Sequence, residues 1–248
     1  MSLLVSPIPY NAYSWTLGWI VITLFAYKSY KNYQRTKNPL AKIYAYIGIM
    51  FGTSFFFFGV PNALTNNPNT LLHTYWTADI LAQLGMLAQA RLLWFIGFRG
   101  RVRWVFVAIP TVCLSATILW FEIHGQPSHI VVDTGARLVR YIDAPITNYL
   151  KSLIYTIIAY PIGYFFIRQG FRSGTSKARA TSIAAGLVFV FIASSSIQNA
   201  LITKGSDNKV SVIVNTCVFI TFQLVSSIWS WRQRLQTKQT QKSSPPQP

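Results

Sequence analysis

The sequence predicts an all-α integral membrane protein: a seven-transmembrane-helix bundle with its N-terminus outside and its C-terminus cytoplasmic. Three observations predict it. First, 52% of the 248 residues are hydrophobic and only 11% are charged. A soluble domain carries about 25% charge, so a water-facing surface cannot be built from this chain. Second, seven long stretches are nearly free of charge. Third, 22 Lys+Arg stand against 5 Asp+Glu, and the basic residues gather on alternate connections. This composition excludes a disordered chain, a secreted disulfide scaffold and an ordinary cytosolic enzyme.

The stretches are Tyr10–Tyr27, Ile43–Leu64, Leu71–Phe98, Trp104–Phe121, Pro145–Ile167, Thr181–Thr203 and Val210–Trp231. Each reaches roughly 18 residues or more, which at 1.5 Å per residue crosses most of a hydrocarbon core of about 30 Å. Barrel strands would instead alternate over about ten residues. The third stretch contains Asp79 and Arg91, and the fifth contains Lys151 near its start. Residues 1–231 therefore form one transmembrane domain. The polar, basic segment 232–248, ending Ser-Ser-Pro-Pro-Gln-Pro, is expected to be a disordered cytoplasmic tail.

Orientation follows from the basic residues. The connections after the first, third, fifth and seventh stretches hold 16 of the 22, from Lys28 through Arg99–Arg103 and Arg168–Arg179 to Lys242. By the positive-inside rule they face the cytoplasm of a cell membrane, beside anionic inner-leaflet lipids. All five acids fall on the other side or in the outer half of a span. The net charge of +17 is thus a topological signal, and nucleic acid is not expected as a partner. Met1–Pro9 carries no side-chain charge and shows no cleavable signal pattern, so the first span reads as an uncleaved reverse anchor.

The connections are short. Pro61–Pro68 is expected to end the second helix in a polar outer turn, and Lys204–Lys209 to form another. The longest connection, Glu122 to about Ala144, carries two Val/Ile/Leu/Tyr-rich flanks, His129–Asp133 and Arg137–Ile142, around Thr134-Gly135-Ala136. A β-hairpin lid or an irregular loop both fit it. Gly48 and Gly52 form a small-xxx-small pair suited to close helix packing, and Pro110 and Pro161 fall inside helices.

Candidate site residues are polar groups within spans, because such groups are costly in lipid and face the bundle interior or water. Asp79 is the sharpest. Gln83 lies on the same helical face, about 40° away, and Lys151 is at comparable depth. Asp79, Gln83, Lys151, Gln198, Asn199 and Asn215 are expected to line one outward-facing polar cavity that binds a small or lipid-like molecule. Interhelical hydrogen bonds without a ligand account for the same residues. Arg91 faces away from Asp79 and reads as snorkelling to inner-leaflet phosphate, with a switch role the alternative. His73, His124 and His129 cluster at the outer rim with Glu122 and Asp133, yet their spacing matches no metal motif. No cofactor, catalytic metal or nucleophile motif is expected, and Cys113 and Cys217 read as packing residues within helices.

In topology, and in the longer loop before the fifth span, the chain resembles seven-helix receptors and the seven-helix sensory regions of some bacterial membrane histidine kinases. The stretch Asn38–Pro61 looks like uncharacterised bacterial seven-helix proteins. The resemblance implies a sensor that signals through a cytoplasmic protein partner. It carries over no site residue. Arg91–Trp94 reads Arg-Leu-Leu-Trp where animal receptors have Asp/Glu-Arg-Tyr, and Val210–Trp231 has no lysine for a retinal Schiff base. A small-solute transporter, a rim-metal-dependent membrane hydrolase and a structural subunit are the other readings.

Overall fold

The structure, a computed structural model, describes residues 8–124, 129–135 and 137–202; the side chains of 177, 178, 195, 196 and 198–202 are not described. Its order is α1 (Tyr10–Thr36), α2 (Pro39–Leu64), α3 (Pro68–Leu93), one π-helical turn (Trp94–Phe98), α4 (Val105–His124), β1 (His129–Asp133), β2 (Leu138–Ile142), α5 (Pro145–Arg172) and α6 (Ser176–Ile202). Among the described residues, four helical stretches are long and apolar enough to cross a membrane: Pro39–Leu64, Pro68–Phe98, Val105–His124 and Pro145–Arg172. α1 and α6 occupy the expected first and sixth stretches, and the described side chains of α6 give an apolar run over Arg179–Ser194. The seventh stretch, Val210–Trp231, and the tail lie outside the described residues.

The burial pattern is that of a protein solvated by lipid. Large apolar side chains point outward: Phe106 is 67% exposed, Ile109 57% and Leu187 53%. α4 buries only Thr111, Ile118 and Glu122. Small and polar residues are buried beside the aliphatic core, among them Ser54, Asn62, Asp79 and Gln83. Without a hydrophobic force between helices, close backbone approach drives their association. Gly48 and Gly52 provide it as expected. A Cβ on Gly48 would lie 2.7 Å from Ala26 Cβ, and one on Gly52 3.1 Å from Thr23 Oγ1. Gly163 and Gly186 do the same between α5 and α6, each facing the other's carbonyl.

Two Asn-Pro pairs start helices. Asn38 Oδ1 accepts from Leu40 N at 2.9 Å, and Asn67 Oδ1 from Asn69 N at 3.0 Å, with proline at the first helical position of α2 and α3. Pro61 does not end α2. It sits in the last turn, its carbonyl accepts from Thr65 N at 3.0 Å, and the outer turn contracts to Thr65–Asn67. A proline late in a helix loses one hydrogen bond, and surrounding packing carries the helix past it.

The connection before α5 is a hairpin. β1 and β2 pair antiparallel from His129↔Ile142 to Asp133↔Leu138, with Arg137 in the left-handed region at φ 53°. An isolated two-stranded hairpin is marginal in water; this one is fastened at several points. Asn11 of α1 covers the free edge of β2, its amide bonding both the N–H (3.2 Å) and the C=O of Val139. Tyr10 N donates to Arg137 O at 2.8 Å, and Arg137 Nη2 to Ile8 O at 3.1 Å. Leu138 and Val139 are buried. In the half of the bundle remote from the hairpin, Ile43, Met86, Leu92, Ile118, Ile154 and Ile162 form an apolar core.

Candidate functional site

Beneath the hairpin, Lys151 of α5 stands at the meeting point of three helices and the loop. Its ammonium lies 3.2 Å from Asp79 Oδ1 of α3 and 2.8 Å from Asp143 Oδ2, between β2 and α5. It also pairs directly with Glu122 Oε1 of α4. A fourth oxygen, Tyr75 Oη of α3, accepts from Nζ at 2.8 Å. An ammonium has three hydrogens. Glu122, Asp143 and Tyr75 take them, which leaves Asp79 an ion pair; its other oxygen accepts from Gln83 Nε2 at 3.5 Å. Tyr75 in turn donates to Asp143 Oδ1. Asp79 is 6% exposed and Glu122 1%.

Aromatic packing joins this cluster to the hairpin. Tyr141 of β2 stacks on Tyr75 with ring centroids 4.9 Å apart and planes 14° apart. Phe58 of α2 meets both rings edge-on, at 5.7 and 5.6 Å. The Tyr141 hydroxyl donates to Asn62 Oδ1 of α2. Burial pushes the Tyr141 phenol well above its ordinary range, so it stays a donor. A line of contacts thus runs from α2 through the hairpin to α3 and α5. The apolar core begins one turn below: Ile118 is one turn from Glu122, and Ile154 one turn from Lys151.

Of the expected site residues, the structure brings Asp79, Gln83 and Lys151 together. They form a buried polar cluster whose ammonium is already surrounded by protein oxygens. Gln198 and Asn199 lie in the last turns of α6, outside the described side chains, and Asn215 lies outside the described residues. Asn62 is buried on the hairpin side of the cluster. Ser194 faces Tyr160 at 2.9 Å, an interhelical hydrogen bond between α5 and α6.

Glu122, Asp143 and Tyr75 belong to the site and were not read as such in the sequence. The available signal was position: Asp143 precedes Lys151 by eight residues, just before the start of α5. The rim histidines are placed otherwise. His73 meets Trp76 edge-on at 5.5 Å and His124 stacks on Trp120 at 4.1 Å. Among the described residues no three His, Cys, Asp or Glu side chains are grouped to hold a metal ion. Compared with known proteins, the chain matches no family model, and no curated protein is significantly similar to it.

Proposed function

We propose that the chain is a seven-helix, receptor-type sensor of a cell membrane, with its N-terminus outside, and that it takes a small cationic or lipid-like ligand at the Lys151 cluster. The observation that carries this reading is the charge ratio at that point. Three carboxyl groups converge on one ammonium among spanning helices. Three carboxylates against one ammonium leave a negative excess, and unbalanced buried charge is costly, so the cluster has capacity for further positive charge, a ligand amine or a proton. Arriving there, it competes with Lys151 for Asp79, Glu122 or Asp143. Asp143 joins the hairpin to α5, so a change in its pairing acts on both. In this reading Gln198, Asn199 and Asn215 complete the wall of the site. The basic connections, turned to the cytoplasm, present the helix shift to a protein partner.

The test is ligand-dependent stabilisation of the purified chain. Organic amines should raise its unfolding temperature, matched carboxylates should not, and Asp79→Asn should abolish the response. No response to any amine at millimolar concentration would remove the ligand reading. The same carboxyl surplus favours one second reading, a proton-linked transporter of small solutes. Substrate-dependent flux in proteoliposomes would replace the sensor with the transporter.

A further inference from the structure

We propose that the end of α3 remote from the Lys151 cluster carries a binding site for the phosphate of an anionic glycerophospholipid, built on Arg91. Arg91 lies 12 residues beyond Asp79, about 18 Å along the helix, near the end of the span. Its guanidinium carbon sits 4.5 Å from the Trp94 ring centroid and 4.8 Å from that of Trp104. The two indoles meet at 6.2 Å with planes 65° apart, so the guanidinium is held in an aromatic corner.

The corner is rigid. Trp94 opens the π-helical turn, and its Nε1 donates to Val102 O at 2.7 Å. Arg101 N and Val102 N both donate to Phe98 O, at 3.0 and 3.1 Å. Gly100, at φ 84°, takes the left-handed conformation that this tight return requires. Such π-turns inside helices recur at functional sites.

Among the described residues, no anion meets the corner. The described acids lie elsewhere: Asp79, Glu122 and Asp143 surround Lys151, and Asp133 ends β1. Among the described residues, the Arg91 N–H groups meet no acceptor. Arg99 is similarly stacked on Phe95 at 4.7 Å, and Arg101 and Arg103 are exposed on the same turn. A guanidinium fork matches phosphate bidentately, and contact with two indoles at the corner removes much of the entropy cost. The source is a lipid rather than free phosphate because Phe106 and Ile109, exposed just beyond Trp104 on α4, offer an acyl chain an apolar wall. Tryptophan at a span end also marks the headgroup level.

Native mass spectrometry of the full chain, titrated with phosphatidylglycerol or phosphatidylcholine, tests this. Phosphatidylglycerol should be retained in preference. Arg91→Gln should weaken it about tenfold or more, the loss of charged hydrogen bonds. Arg91→Lys should restore it only in part, and the R101Q/R103Q pair should lose about twofold. Equal retention of phosphatidylcholine, unchanged binding by Arg91→Gln, or a loss in the loop pair as large as in Arg91→Gln would overturn the site. Inorganic phosphate displacing the lipid at equal concentration would overturn the lipid source. Should Arg91→Gln fail to fold, Trp104→Leu decides, since it keeps the charge and loses the stack; undiminished binding then overturns the proposal.

Discussion

Lys151 touches four oxygens from two other helices and a loop, so its removal reaches all of them. Lys151→Met leaves three carboxyl groups without their cation. Breaking a buried ion pair from one side costs about 3–5 kcal/mol, and unfolding in denaturant should show a loss of that order. Asp79→Asn should cost less, because Asp79 receives no hydrogen from Lys151. In the double variant the two losses should fall short of their sum by about 1 kcal/mol or more. Strict additivity would deny that the pair acts as a unit. Tyr141→Phe tests the next contact outward. It strips Asn62 Oδ1 of its donor beside an Nδ2 that has no partner among the described residues. A loss of about 1–3 kcal/mol is expected, and a variant as stable as the parent would show the bond to be idle.

At the scale of elements, the hairpin and the glycine seams make separate demands. The hairpin was foreshadowed by β-branched flanks around Thr134-Gly135-Ala136, but its attachment was not. Part of that attachment is Asn11, a single polar residue one position into α1, bonding the edge of β2 across 128 residues of sequence. Asn11→Ala should leave the bundle folded and speed hydrogen exchange at the Val139 amide. Exchange as slow as in the parent would mean that other contacts suffice. The α1–α2 seam was legible, since small residues four apart have few other uses in a span. Gly48→Leu should lower the unfolding temperature, because its Cβ would stand 2.7 Å from Ala26 Cβ. Gly174→Ala, with nothing within 4 Å, is the matched control and should change little.

For the whole molecule, hydropathy and the placement of basic residues carry most of what is known. Four long apolar helices with outward-facing Phe, Ile and Leu make an integral membrane protein. The orientation belongs to the proposal and has its own test. A reporter fused after Pro248 should be active on the cytoplasmic side alone, and activity outside the cell would reverse the assignment.

The sequence by itself pointed to the class, to the course of most of the helices, and to Asp79, Gln83 and Lys151 as polar residues at comparable depth, which the structure brings together. Hydropathy and charge are summed along the chain, and an ion within a span must seek its counter-ion wherever the fold lies. Tertiary structure alone decided that Glu122, Asp143 and Tyr75 share that lysine. A helix that is apolar all round, as α4 nearly is, has no face marked as inner. Which of its residues meets a neighbour is set by rotation and packing against the other helices, and those are properties of the assembled bundle.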